Sequence, residues 1–170
     1  MRPPVFAGTE GPLVAEAWAK HMEEILAILR PPITNCIKLT AYQLQGEGRE
    51  WWRSVELIEG KEVVAAWTWE RFKEVFLDKY FPMHEKLRHK RAFLDLQQGQ
   101  KSVTEYTQEF ETLSRYAPHL VTPDARKVQK YIYGLIPPIR KMAMVQPGIS
   151  FKEVVQLAYW LEEEHLRTRA

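Results

Sequence analysis

Leu96–Ala117 reads LQQGQKSVTEYTQEFETLSRYA and contains a complete helix-start signal. A polar stretch with one glycine, Gln97-Gln98-Gly99-Gln100-Lys101, runs into Ser102, three residues before Glu105. That is the spacing of a capping box. The hydroxyl accepts from the amide of residue 105, and the carboxylate reaches back to the amide of residue 102. Val103, Tyr106, Phe110, Leu113 and Ala117 then follow at steps of 3, 4, 3 and 4. Such steps place all five on one stripe of an amphipathic helix.

Working outward, almost every periodic stretch has helical period, and no convincing strand pair is found. A first helix is predicted from Pro12, with Val14, Ala17, Trp18, Met22, Ile25 and Leu29 inward, ended by Pro31-Pro32. A second runs from Ile33 to Gln45 and stops at Gly46. A third carries Trp51 to Ile58, and Gly60 to Ala66 reads as a loop with some helical character. Thr68 caps a fourth, with Trp69, Phe72, Phe76 and Tyr80 inside. Phe81-Pro82-Met83 is the strongest boundary, and a linker is placed at residues 81–84.

A fifth helix is expected over Glu85 to Gln97, carrying Leu87, Phe93, Leu94 and Leu96, and the capped helix is the sixth. Thr122-Pro123-Asp124 opens the seventh, with threonine as cap, and Gly134 closes it. Pro137-Pro138 opens a short eighth through Met144. Ser150 and Glu153 form a second capping box for the ninth, with Phe151, Val154, Val155, Ala158 and Leu161 inside. The expected fold is all-α, with one small helical lobe at residues 1–82 and another at 83–170.

The bulk numbers fit this. The 170 residues suffice for one domain or two small ones, and a formal charge of +2 with 45% apolar residues argues against extended disorder. Residues up to Pro82 hold 10 basic and 12 acidic side chains, and the rest hold 14 and 10, so the second half is mildly basic. The lone cysteine, Cys36, excludes an internal disulfide and reads as a small buried hydrophobe beside Ile33 and Ile37. No apolar run is long enough to span a membrane, and Met1-Arg2-Pro3-Pro4 lacks the apolar core of a secretory signal.

Catalytic and metal readings fail on spacing. His84 and His89 are five apart, about 140° around a helix, whereas a zinc-binding helix needs its histidines four apart. Lys86, Arg88, Lys90 and Arg91 surround them and would repel a cation. No serine or cysteine occupies a nucleophile motif, and Gly46-Glu47-Gly48 is not a phosphate loop. No enzyme activity, cofactor or metal is expected.

Further pieces accompany the capped helix. They are Ala41-Tyr42-Gln43-Leu44-Gln45-Gly46, Trp51-Trp52, Thr68 to Phe76, Tyr116-Ala117-Pro118, Lys127-Val128 and Gly134-Leu135-Ile136-Pro137. In this order they resemble the capsid region of the Gag polyprotein of gypsy-type LTR retrotransposons, particularly plant-like ones, from Phe6 to about Glu164. The segment 97–113 resembles a variant of the retroviral major homology region, with Gln98, Gly99, Val103, Glu105, Tyr106 and Phe110 as its structural residues. It departs in a shorter step from Gly99 to Val103 and in an acidic Glu109 where retroviruses place a basic residue.

The resemblance implies self-association, through a carboxy-terminal dimer, into a virus-like particle that packages element RNA. Such particles would be cytoplasmic, with the nucleus as an alternative. In retroviral capsids the helix after the homology region commonly makes the two-fold contact. By position that is Pro123 to Tyr133, leaving Arg126, Gln129, Lys130 and Tyr133 outside once Val128, Ile132 and Leu135 face inward. Leu157 and Trp160 on the ninth helix form the alternative surface. No zinc knuckle is present, so RNA binding is expected to be weak or to come from a flanking region, and the chain reads either as a capsid fragment or as a stand-alone domesticated capsid. Two rivals stay open. One is a domesticated adaptor binding partner peptides in an amino-terminal groove near Trp51, Trp52, Trp67 and Trp69. The other is a helical RNA-binding domain using Lys86, Arg88, Lys90 and Arg91.

Overall fold

The computed structural model describes residues 3–170. It divides into two compact units, Met1–Glu85 and Lys86–Ala170. Among the described residues every regular element is helical, and the one extended pairing is an isolated bridge between Phe6 and Leu44.

In the first unit, α1 (Pro12–Leu29) begins with proline at its first turn and ends at Arg30, whose left-handed backbone returns its amide to the Leu26 carbonyl. Its buried face is Ala15, Trp18, Ala19, Met22 and Leu26. This corrects the expected face: Val14, Ala17 and Leu29 point to solvent. α1 packs against α5 (Trp69–Tyr80), and the two alanines share one buried cluster with Phe72 and Phe76 of that helix. Partly exposed Glu23 on α1 accepts from Lys73 Nζ at 3.1 Å and from Trp69 Nε1 at 3.1 Å.

α2 (Ile33–Tyr42) stops short of the predicted Gln45, and Gly46 does not end it but starts α3 (Gly46–Glu59). No side chain caps α3. Its early amides are instead taken by an extended amino-terminal arm, with Gln45 donating to the Phe6 carbonyl at 2.8 Å and Gly48 to the Ala7 carbonyl at 2.8 Å. Helical periodicity cannot reveal such a partner forty residues away. Gly60 to Ala66 holds a short α4 (Lys61–Ala65). Thr68 caps α5 as expected, accepting from the Arg71 amide at 3.2 Å.

The core of this unit is aromatic. Phe72 and Phe76 are fully buried, and Trp52 fills the interior while Trp51 packs at its edge. Phe76 alone lies within 6 Å of Phe6, Trp18, Trp51, Phe72 and Tyr80, ring centre to ring centre. Cys36 is half-buried, not buried, and neighbouring Ile33 is exposed.

The expected linker at 81–84 shrinks to Phe81 and Pro82. α6 (Met83–Leu94) begins two residues earlier than expected and ends three earlier, and the division between units falls inside it. Leu87 and Leu94 are exposed, while Phe93 and Leu96 are buried.

The second unit continues with α7 (Val103–Ser114), a single 3-10 turn at Pro118–Leu120, α8 (Asp124–Gly134), α9 (Pro137–Ala143) and α10 (Phe151–Arg169). Thr122 does not cap α8. Pro123, after a cis peptide bond, holds that position, and the Asp124 carboxylate accepts from the Phe151 amide at 3.2 Å. The second capping box is present, with Ser150 and Glu153 bonded reciprocally at 2.8 and 3.3 Å. Buried Phe93, Val103, Tyr106, Phe110, Tyr131, Leu135, Ile139, Val154 and Ala158 form one core.

Candidate functional site

The turn from Leu96 to Lys101 positions a densely bonded group of side chains in the second unit. Gly99 has φ +57°, a left-handed conformation that glycine adopts without the cost other residues bear. The turn folds Gln98 inward, and its side chain is only 2% exposed. Every polar group of that side chain reaches a backbone partner. Nε2 donates to the Lys101 carbonyl at 3.1 Å, just before α7, and Oε1 accepts from the Ile136 amide at 3.1 Å. The Gln98 amide donates to the Gly134 carbonyl at 2.7 Å. One residue therefore ties the entry of α7 to the α8–α9 turn.

α7 itself starts as its sequence dictates. Glu105 donates its amide to Ser102 Oγ at 3.1 Å, and its carboxylate accepts from the Ser102 amide at 2.9 Å. A third partner was invisible in the periodicity: Glu162 on α10 accepts from the Val103 amide at 2.8 Å. Such a contact satisfies one of the donors that every helix start leaves open. Acidic Glu109 is answered by Lys101, 2.6 Å away; both are partly exposed, so the pair contributes little to stability.

Behind this entry, Tyr106, Thr107 and Tyr131 form a buried polar cluster. Tyr106 Oη donates to the Tyr131 carbonyl at 2.9 Å, one of the open carbonyls at the end of α8. Thr107 Oγ1 donates to the Val103 carbonyl at 2.7 Å and lies 2.8 Å from Tyr131 Oη. Burial, with Tyr131 close by, pushes the Tyr106 phenol well above its ordinary value. Burial likewise raises Tyr131 to about 12 against the opposing Thr107 hydrogen bond. Both phenols stay protonated in a physiological range, and their hydrogen bonds join α7 to α8. Tyr131 was missed in the sequence because its neighbours Val128 and Ile132 already completed an apolar stripe. Gly134 packs flat under the Tyr106 phenol, where an added Cβ would overlap the ring.

Gln98→Leu tests the tie directly. It leaves the Ile136 amide and the Lys101 carbonyl without their partners, at about 1–3 kcal/mol each. The expected outcome is a lowered melting temperature together with faster amide exchange at Ile136; unchanged exchange there would contradict the bonding described.

The remaining candidate residues lie apart. On α8, Gln129 is exposed and Tyr133 is 49% exposed, while Val128, Ile132 and Leu135 are buried. Arg126 leans on the His119 carbonyl, and Lys130 donates to the Leu94 carbonyl at 3.2 Å over the Phe93 ring. Two shallow grooves of about 290 and 310 Å³ flank this ridge, and Gln129 and Tyr133 line both. On α10, Leu157 packs partly into the core, whereas Trp160 is 58% exposed. Lys86, Arg88 and Arg91 are exposed on α6 and Lys90 is half-buried. His89 stacks on Tyr116 at 5.0 Å. Among the described residues no group of three histidine, cysteine or carboxylate side chains is disposed to hold a metal, and no helix is long and apolar enough to cross a membrane.

Residues 1–81 match the family described as the retrotransposon-derived protein PEG10, N-terminal capsid-like domain. This stretch of the chain is therefore similar to a Gag-derived capsid-like domain. The matched stretch ends at the Phe81-Pro82 break and takes in the arm, α1 to α5 and the aromatic core of the first unit. No curated protein and no solved structure matches the chain. The capsid-like similarity thus lies in the first unit, and the Gln98 tie lies in the second.

Proposed function

We propose that the chain is the two-lobed capsid of a gypsy-type, plant-like retrotransposon Gag, which self-associates into particles enclosing element RNA. What carries the reading is the pairing of a capsid-like first unit with a second unit whose Gln97–Leu113 segment holds a buried glutamine, a left-handed glycine and a boxed helix start in homology-region order. Capsid-like Gag domains are structural rather than catalytic. Residues 1–82 act as the amino-terminal lobe and 83–170 as the carboxy-terminal lobe. Electron microscopy of the purified chain over a range of salt tests the reading. Closed or tubular assemblies support it; a monomer under every condition overturns it.

The lobe dimer is assigned to α8. Its outer face is a polar ridge between two grooves, a shape that can interlock with its own two-fold copy. Three of the four ridge residues, Arg126, Gln129 and Lys130, are polar, so each contact is weak, and a shell gains its strength from repetition. In sedimentation of the full chain, Gln129→Glu with Tyr133→Ala should abolish dimers, while Trp160→Ala should leave them. The reverse result would move the interface to α10.

The RNA contact is assigned to the exposed face of α6. Replacing Lys86, Arg88, Lys90 and Arg91 by alanine should flatten the salt dependence of RNA binding, each lost phosphate contact removing about 0.7 from the log–log slope on single strands. An unchanged slope would place the contact elsewhere.

The peptide-binding adaptor is the second reading, favoured by the description of the matched family as retrotransposon-derived. The first unit has a cleft of about 210 Å³ lined by Ile37, Ala41, Trp52 and Val64, and a peptide pull-down with the full chain tests it.

A further inference from the structure

The amino-terminal arm is bound to the first unit as a separate peptide would be. Phe6 is 1% exposed, its ring set against Trp18, Phe76 and Tyr80 at 5.6, 5.1 and 4.9 Å. Its amide donates to the Gln43 carbonyl at 3.0 Å, and its carbonyl accepts from the Gln45 amide at 2.8 Å. On either side, the Pro4 carbonyl accepts from Trp18 Nε1 at 2.9 Å and the Ala7 carbonyl from the Gly48 amide at 2.8 Å. All the hydrogen bonds from Pro4, Phe6 and Ala7 to the helical body come from their main chains, and one aromatic ring fills the socket. Val5 between them points to solvent. Addition of an extended strand by backbone pairing plus one pocketed side chain is a general mode of peptide capture. Pro4 favours an extended segment at low entropic cost.

The connector to α1 is short and folded back. Gly8 and Gly11 stand at φ +90° and +94°, and the Glu10 carboxylate accepts from the amides of Ala7, Gly8 and Thr9 at 2.7, 2.9 and 3.0 Å. Opening this turn frees the arm without unwinding α1, which starts only at Pro12, and leaves the amides at the start of α3 open to an incoming arm.

We infer that the Phe6 socket is a strand-docking site, filled in cis by the chain's own arm and in trans by the arm of a second copy. The cis arm shows which sequence fits the socket, and every further copy carries that sequence. Exchange of an identical element is a low-cost route to association. The inference stands on the socket geometry and not on the shell or dimer assignments above.

The test uses a fluorescently labelled peptide of residues Pro3–Gly11 and full-length chains. Wild-type chain should bind it weakly, because the tethered arm competes at an effective concentration on the order of millimolar. A chain carrying Phe6→Ala should bind at least about tenfold more tightly, and a peptide carrying Phe6→Ala should not bind. If the Phe6→Ala chain melts early, the wild-type peptide should raise its melting temperature. Equal binding of both peptides, or no binding and no rise, overturns the site. For the occupant, Gly11→Pro denies the connector its positive φ. That chain should sediment as a dimer that Phe6→Ala dissolves. If it is monomeric at the highest soluble concentration while the peptide still binds, the site serves a different partner and the second-copy assignment is overturned.

Discussion

Phe76→Ala should cost the first unit about 3–5 kcal/mol, at the upper end for a buried phenylalanine. The ring is fully buried and meets five other aromatic rings drawn from the arm, α1, α3 and α5. Truncation removes its burial and also the edge-to-face contacts, each worth about 0.5–1.5 kcal/mol beyond area. Large rigid neighbours collapse poorly into the space left. Ile58→Ala is the control, because Ile58 is 80% exposed and its loss should fall within about 0.5 kcal/mol of neutral. Denaturant melts followed by tryptophan fluorescence report on this unit, where all six tryptophans but Trp160 lie. A Phe76→Ala chain that unfolds with the wild type would mean that the ring cluster is not what holds the unit together.

How far such packing could be read in advance differed between helices. α5 and α7 were legible because cap and stripe agreed: Thr68 with Trp69, Phe72 and Phe76, and Ser102–Glu105 with Val103, Tyr106 and Phe110. α1 was legible as a helix but not in its facing. Val14 and Leu29 are larger than Ala15 and Ala19, so hydrophobicity favours the wrong side, and it is the two alanines that are buried with Trp18 and Met22. Gly46 reads as a stop because glycine is punctuation in a helical pattern. Its actual role depends on the arm, whose backbone supplies partners to the start of α3.

The same contrast runs through the candidate site. Gln98, Gly99 and the capping box announced themselves as local chemistry. Glu162 on the Val103 amide, Tyr131 beside Thr107 and the Gly134 approach to Tyr106 join segments from 24 to 59 residues apart. No spacing rule within one helix encodes them. Their residue types were nevertheless consistent with burial in company: a phenol needs a partner for its hydroxyl when enclosed, and each phenol here has one.

Phe110→Ala should have the largest effect in the second unit, again about 3–5 kcal/mol. Phe110 is 1% exposed and stands where four helices meet, with Phe93 of α6 at 5.1 Å, Tyr106 of its own helix at 6.1 Å, Tyr131 of α8 at 5.3 Å and Phe151 of α10 at 5.6 Å. No single helix can close the gap by moving alone, so the cavity should persist. Tyr106→Phe separates packing from hydrogen bonding at the adjoining position. It keeps the ring and removes only the bond to the Tyr131 carbonyl, so it should cost about 1–3 kcal/mol through the carbonyl left unanswered. Hydrogen exchange along α7 and α8 distinguishes the two. Phe110→Ala should lower protection throughout both helices, while Tyr106→Phe should act chiefly at the end of α8, near the freed carbonyl. Equal and uniform loss from both substitutions would show that the Tyr106 bond anchors the entire core, and equal insensitivity would remove Phe110 from its centre.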